Sequence, residues 1–190
     1  FMPSVGLNAV VGRPLEEYGM EPTSLEQMRK GVYNVDARID DMNANGIAAS
    51  LNFGTCVGFD GGRFHKAPDK TLSLTHLRAY NDWLVEWCSA DPDRLLPVIA
   101  TPFWDLGFAV AEIERAAAKG HRAVNMCSQP QNYDEPPLGS AHWDPIWAAA
   151  RDTGLSVSFH IGGGGLGNLM DDIGGIGLQA NLGKESAMMI

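Results

Sequence analysis

The feature that most constrains the fold of this chain is a regular alternation of strand-like and helix-like segments from residue 47 onward. Short runs rich in β-branched and apolar residues alternate with segments whose apolar residues recur at helical spacing. The predicted strands cover 47–53, 94–100, 122–127 and 155–161, and the predicted helices cover about 72–90, 105–120 and 146–153. This order predicts βαβ units and an α/β fold with a parallel sheet. The alternation alone leaves open a doubly wound sheet or a β/α barrel.

Capping and breaking residues mark the ends of the predicted helices. Asp105 opens one helix and Gly120 closes it, while Asp144 is predicted to be an N-cap followed by Pro145 at the first helical position. The remaining segments are a helix at 34–45, an irregular stretch at 1–33 with a short helix at about 23–30, a Gly-rich loop at 58–65, and a Pro-rich loop at 128–143.

Composition and charge exclude several classes of partner. Hydrophobic residues make up 45% and charged residues 19% of the 190 residues, a balance typical of a globular domain. The formal net charge is −9 and no basic stripe is present, so we expect no nucleic-acid partner. No apolar run reaches the roughly 18 residues that span a bilayer, so we expect no membrane partner either.

Cysteine usage indicates a reducing compartment. The three cysteines, Cys56, Cys88 and Cys127, are odd in number and widely spaced. This pattern fits free thiols better than a disulfide framework. We therefore expect a cytoplasmic protein.

The segment LSVSFHIGGGG, residues 155–165, ends a predicted strand in His160 and continues into glycines. Gly162, Gly164 and Gly167 match the G-x-G-x-x-G spacing of a dinucleotide-binding loop, but that loop normally follows the first strand and opens a good helix, which this one does not. A histidine at the carboxyl end of a parallel strand faces the active site of a barrel and is a common metal ligand. The alternative is a hydrogen-bonded core histidine.

Two further residues are candidates for substrate binding. His65, in the loop after the first visible strand, could face the same site as His160. Arg38 could form a bidentate clamp on a substrate carboxylate, or it could pair with Asp41 or lie on a solvated helix face. The other histidines, His76, His121 and His142, are interpreted as surface or packing residues, with His142 stacking on Trp143 or capping a turn.

Several linked motifs then resemble one family, the amidohydrolase-2 group, which includes aminocarboxymuconate-semialdehyde decarboxylase and the dihydroxybenzoate decarboxylases. The resemblance runs from about residue 34 to residue 163. The motifs that carry it, in order, are VDARIDDMNANGI at 35–47, Asn81-Asp82, PDRLLPV at 92–98, DPIWAAA at 144–150 and LSVSFHIG at 155–162.

The resemblance implies a metal-dependent (β/α)8 barrel of which strands two to five are legible in this chain. It implies that His160 is a metal ligand, most often of Zn²⁺ with Mn²⁺ as a possibility, and that Arg38 contributes to binding a substrate carboxylate. The other metal ligands and the catalytic base would lie outside residues 1–190. We accordingly expect residues 1–190 to be part of a single barrel domain that is incomplete at both ends, with 1–33 an irregular insertion.

The implied activity is decarboxylation of a small carboxylated aromatic or muconate-like acid. Hydrolysis of an amide, ester or lactone bond is the alternative within the family, and a barrel that has lost its ligands and acts as a binding protein is the alternative of another class. The expected partners are a small-molecule carboxylate substrate and further copies of the same chain in a homo-oligomer.

Overall fold

The computed structural model describes Glu26 and residues 28–54 and 61–159. The chain divides into two compact units, one formed by Phe1–Ser50 with Glu86–Leu96 and the other by Leu51–Val85 with Pro97–Ile190. No helix in the described part of the chain is long and apolar enough to cross a bilayer.

Strands and helices alternate along the described residues as the periodicity predicts. The helices are α1 Val35–Ala44, α2 Gly62–Lys66, α3 Lys70–Cys88, α4 Leu106–Lys119 and α5 Asp144–Asp152, and the strands are β1 Ser50–Asn52, β2 Leu95–Ala100, β3 Ala123–Met126 and β4 Ser156–Phe159. Short 3₁₀ helices cover Lys30–Val32, Pro130–Tyr133 and Ala141–Trp143.

The four strands form one sheet in the order β1-β2-β3-β4. β2 and β3 pair in parallel with Ala100 opposite Asn125, and β3 and β4 pair in parallel with Met126 opposite Phe159. Each of these parallel pairs is joined by a helix, α4 or α5, as a crossover between parallel strands requires. The predicted α/β class and parallel sheet are confirmed.

A hydrophobic core lies between these two crossover helices and the sheet. Ile113 of α4, Val124 and Met126 of β3, and Ile146 of α5 are fully buried in one cluster. Trp143 belongs to the same cluster, and its indole N–H donates to the carbonyls of Pro136 and Pro137 at 3.0 and 3.1 Å. The Pro-rich segment therefore satisfies the one polar atom of the largest core side chain.

The predicted ends of α4 are confirmed. The Asp105 carboxylate accepts the Phe108 N–H at 3.0 Å, and Gly120 ends the helix at φ +110°, where a side chain would be strained.

The prediction that Asp144 is an N-cap was wrong by one position. Asp144 is the first residue of α5, and the cap position is Trp143, whose side chain makes no capping bond. The reason is that the 3₁₀ turn Ala141–Trp143 runs directly into the helix, so no extended cap residue separates them. The capping side chain lies upstream, where Ser140 accepts the His142 N–H at 3.2 Å.

Two segments predicted as loops contain helical structure. Gly62–Lys66 in the Gly-rich segment forms α2, and the Pro-rich segment holds the two later 3₁₀ helices. Half of the short helix predicted at about 23–30, the irregular stretch 1–25, and the residues after Phe159 lie outside the described residues, and the described Met28 and Arg29 are not helical.

Within the first unit, Arg94 holds the segment between α1 and β1. Its guanidinium donates to the Asn43 side chain at 2.8 Å and to the carbonyls of Ala48 and Ile47 at 3.1 and 2.9 Å. Arg94 is the arginine of the PDRLLPV motif. Three donors on one planar fork explain why an arginine serves this structural role.

Candidate functional site

The residues best suited to binding or chemistry lie at the carboxyl ends of β2 and β3. In parallel α/β barrels this edge of the sheet holds the active site. Thr101 follows β2 and Ser128 lies just beyond β3, and both are almost fully buried. Their hydroxyl oxygens find no hydrogen-bond partner within the described part of the chain. Buried polar atoms without partners are rare and mark a place where another group can bind.

The end of β2 is fixed by a side chain from α3. Asn81, which is fully buried, accepts the Ala100 N–H at 3.0 Å and donates to the Ala100 carbonyl at 3.1 Å. Its second amide hydrogen goes to Glu112 at 2.7 Å. Asn81 therefore satisfies the backbone N–H and carbonyl of the last residue of β2.

Glu112, on α4, is fully buried and is held by cations from two helices. Arg115 donates to it through two nitrogens at 2.7 Å each, and Arg78 of α3 donates at 3.2 Å. The hydrogen bonds that Arg115 donates to Glu112 are the largest cause of the raised pKa of Arg115. This charged network joins α3 to α4 behind the end of β2 and supports Asn81.

His65 of α2 meets the aromatic residues that follow these strands. Its ring stacks on Phe103 with centroids 5.5 Å apart and an interplanar angle of 3°, and it lies 5.3 Å from the tilted ring of Tyr133. Its Nε2 contacts Glu135 Oε1 at 3.3 Å. Its Nδ1 is buried and has no hydrogen-bond partner among the described residues.

Glycine permits the close approach of α2 to the strand ends. Gly61, at φ +75°, caps α2, and a Cβ there would lie 3.1 Å from the Thr101 carbonyl oxygen. A Cβ on Gly62 would overlap the hydroxyl and ring of Tyr133. Only residues without a side chain allow the helix that carries His65 to lie this close.

Two lysines flank the aromatic side chains. Lys66 lies over the Tyr133 ring, 5.4 Å from its centroid, and Lys70 lies over the Trp104 ring at 5.9 Å. Lys70 also donates to the His65 carbonyl, and the buried Trp104 indole N–H lacks a partner within the ranges described. We call the connected set the strand-end cluster; its members are His65, Lys66, Lys70, Phe103, Trp104, Tyr133 and Glu135.

Arg38 lies in the first unit, on α1. Its guanidinium contacts the Ser50 hydroxyl at 3.4 Å, at the first residue of β1. Asp41 pairs instead with Arg29, at 2.8 and 2.5 Å, and hydrogen bonding by that guanidinium is the largest cause of the lowered pKa of Asp41. The salt bridge considered between Arg38 and Asp41 is thus replaced by one from Arg29, and the substrate-binding role of Arg38 stays a prediction.

The predicted metal ligand His160 lies outside the described residues. Its chain neighbour Phe159 ends β4. Within residues 28–54 and 61–159, no three His, Cys, Asp or Glu side chains come together as a metal site. The described residues alone therefore do not fit a metal ion, and we derive no reaction step through one.

The remaining histidines have the packing or surface positions that the sequence indicates. His142 contacts Trp143 edge to face, with ring centroids 4.6 Å apart. His76 is exposed on α3, and His121 is buried after α4. Cys88 and Cys127 are buried and form no disulfide, as expected for thiols, and burial raises the pKa of Cys88 to about 11.

Sequence reasoning missed most of the strand-end cluster. Glu135 is 70 residues from His65 in the chain, so no local spacing connects them. A usable signal was the aromatic pair Phe103-Trp104 directly after a predicted strand, because side chains at that edge of a parallel sheet are displayed toward a site.

Comparison with known proteins places this parallel α/β architecture in a family. The family model described as Amidohydrolase, that of the amidohydrolase-2 family, matches residues 57–183, more than half of the chain. The chain therefore belongs to the amidohydrolase-2 family. No curated protein matches the sequence significantly.

Solved structures agree on the fold. A 2,6-dihydroxybenzoate decarboxylase from Rhizobium is 24% identical with a TM-score of 0.53, over 66% of this chain and 38% of that one. A 2,6-dihydroxybenzoate decarboxylase complexed with 2,6-dihydroxybenzoate is 26% identical with a TM-score of 0.51, over the same shares. The predicted barrel-type fold is confirmed, and the chain spans 38% of the length of each of these two proteins.

Proposed function

We propose that the protein is a metal-dependent decarboxylase of a small carboxylated aromatic or muconate-like acid. The observation that carries this proposal is the strand-end cluster, in which stacked flat rings, two lysines and unpartnered polar atoms meet at the carboxyl end of a parallel sheet. Similarity to two 2,6-dihydroxybenzoate decarboxylases supports the choice of reaction.

The chemistry of the cluster suits a planar acid. Phe103 and Tyr133 are buried rings packed edge to face, and together with His65 they give this edge of the sheet an aromatic lining. Lys66 over the Tyr133 ring and Lys70 over the Trp104 ring bring positive charge to the cluster, which favours a carboxylate. Decarboxylation breaks the bond between the carboxyl carbon and the rest of the substrate, and the electron pair left behind must receive a proton.

We assign His65 and Arg38 to substrate binding and His160 to the metal, most often Zn²⁺ in this family with Mn²⁺ as the alternative. When bound, such an ion supplies Lewis-acid stabilisation of developing negative charge. His65 has the local support of an unpartnered ring nitrogen beside aromatic faces.

Release of carbon dioxide tests the proposal. The intact protein, loaded separately with Zn²⁺ and Mn²⁺, is expected to release CO₂ from 2,6-dihydroxybenzoate or a muconate-like acid. His160→Ala is expected to lose most of its bound metal, because one of the metal's ligands is removed. Turnover of amide, ester or lactone substrates without CO₂ release would overturn the decarboxylase assignment in favour of hydrolysis.

Arg38 is tested separately. Arg38→Ala is expected to raise KM for carboxylate substrates about tenfold or more while metal content stays at the wild-type level, since a charge-assisted hydrogen bond is worth roughly 1.5–3 kcal/mol. Arg122→Ala, which removes an exposed arginine, is the control. An unchanged KM with lowered stability would show that Arg38 has only a structural role, through its contact with Ser50.

Two further proposals concern the surroundings of the enzyme. A homo-oligomer is supported by Leu72 and Trp83 of α3, whose side chains are 51% and 52% exposed. A cytoplasmic location is supported by Cys88 and Cys127, which are buried and form no disulfide. Light scattering of the intact protein measures the first, and cell fractionation measures the second.

A further inference from the structure

The two ring nitrogens of His65 have unequal surroundings. Nε2 lies 3.3 Å from Glu135 Oε1, whereas Nδ1 is buried with no hydrogen-bond partner among the residues described. The His65 side chain is 20% exposed and the Glu135 side chain 22%, so the contact is partly shielded from water. A hydrogen bond with this shielding is stronger than one in solvent.

The chemistry of the contact determines where the imidazole proton lies. A carboxylate can only accept, so the hydrogen bond requires a hydrogen on Nε2. A neutral imidazole has a single N–H, and Nδ1 is then left as a bare acceptor. Such second contacts commonly select the tautomer of functional histidines.

We propose that Glu135 is a positioning residue that holds His65 in the Nε2–H tautomer, so that Nδ1 accepts a hydrogen bond from a donor group of the bound ligand. The inference deepens the proposed function, because it rests on His65 being a substrate-binding residue. It assigns to Glu135 a role that acts through His65.

Both partners are held in place by their surroundings. The His65 ring lies flat on Phe103, and Lys70 donates to the His65 backbone carbonyl. Glu135 follows Asp134, which adopts a left-handed conformation at φ +61°, and the Glu135 N–H donates to the Pro130 carbonyl at 3.2 Å. The carboxylate therefore reaches His65 from a turn whose backbone is itself tied down.

The tautomer can be measured without any turnover. Two-bond ¹⁵N–¹H correlation spectra of the intact protein at about pH 8 distinguish a protonated ring nitrogen from a bare one. The His65 signals are assigned by their loss in His65→Ala. We expect Nε2–H in the wild type and a mixture of tautomers in Glu135→Ala.

Asp134→Asn is the matched control. It removes one negative charge from the adjacent residue and keeps a side chain that tolerates the left-handed conformation. It is expected to leave the His65 tautomer unchanged. A wild-type Nδ1–H tautomer, or an unaltered Nε2–H tautomer in Glu135→Ala, would overturn the role of Glu135.

Phenol, a neutral aromatic hydrogen-bond donor, probes the acceptor. Its addition is expected to shift the Nδ1 signal of wild-type His65 upfield, and an unmoved Nδ1 signal at saturating phenol would overturn the acceptor role. A protein that shows the expected tautomers but releases no CO₂ would retain this inference and lose only the decarboxylase assignment.

Discussion

At the scale of single residues, the two ring nitrogens of the buried His121 differ in their hydrogen-bond partners. Its Nδ1 lies 3.2 Å from the Ala116 carbonyl, which can only accept, so Nδ1 carries the hydrogen. Nε2 is buried without a partner in the described ranges. Protonation would place a second N–H where no described residue accepts it, and burial is the largest cause of the lowered pKa of His121.

The lowered pKa predicts an acid-dependent loss of stability. An unfolded histidine titrates near pH 6.5, so below about that pH the unfolded chain binds more protons than the folded one. The contribution of His121 to the free energy of unfolding is therefore fully present above that pH and is lost as the pH drops toward the lower folded pKa. Urea unfolding between pH 5 and pH 8 measures it.

The variant His121→Leu isolates this effect. It removes the titrating ring, and the Ala116 carbonyl keeps the backbone N–H groups of His121 and Gly120 as donors. The acid-dependent fall should become shallower in His121→Leu and keep its wild-type slope in His76→Gln, which retains His121. Equal slopes in wild type and His121→Leu would show that other groups cause the fall.

At the scale of secondary-structure elements, the carboxylate of Glu112 organises the contact between α3 and α4. Three side chains from these helices, Arg78, Asn81 and Arg115, donate to a carboxylate that is itself 0% exposed. Removing one member of a buried charged group leaves the others without compensation. The network therefore stabilises this contact largely because the loss of one member would leave the remaining buried charges unpaired.

Glu112→Ala is expected to lower the free energy of unfolding by about 2–4 kcal/mol, somewhat less than for a fully buried pair because both arginines keep some exposure. Glu114→Ala, an exposed glutamate on the same helix, is the control and is expected to change stability by less than about 0.5 kcal/mol. Denaturant unfolding of both variants measures the difference, and equal losses would contradict the role given to Glu112.

At the scale of the whole molecule, the net charge opposes the proposed substrate. The chain carries 14 basic and 23 acidic residues, giving a formal charge of −9. An approaching carboxylate is therefore repelled at long range unless local charge reverses the field. Lys66 and Lys70, fixed over the rings of Tyr133 and Trp104, provide such a local reversal.

The double variant Lys66→Gln, Lys70→Gln is expected to bind 2,6-dihydroxybenzoate about ten times more weakly and with less dependence on salt, since exposed charges are screened. Lys30→Gln, which removes one charge from an exposed lysine, serves as control and is expected to bind normally. Calorimetric titration at two salt concentrations measures both. Unchanged affinity in the double variant would remove the lysines from the site.

Local features of the fold could be predicted from the sequence, whereas contacts between residues far apart in the chain could not. Asp105, Gly120 and the spacing of strands and helices are local signals, and they place α4 and the parallel sheet correctly. The contact of His65 with Glu135 joins residues 70 positions apart, and Asn81 meets Glu112 across 31. Such pairs arise from packing of whole elements, which no periodicity within one element encodes.

The hydrogen bonds that Asn81 makes to Ala100 have a consequence for the evolution of the family. The N–H and carbonyl of that residue are both occupied by the Asn81 side chain, so these two backbone groups have partners that no loop residue supplies. Substitutions in the loops at this edge can therefore leave these two hydrogen bonds of β2 intact. The buried amide of Asn81 would thus allow residues at this edge of the barrel to change, and new specificities to arise, while the sheet is preserved.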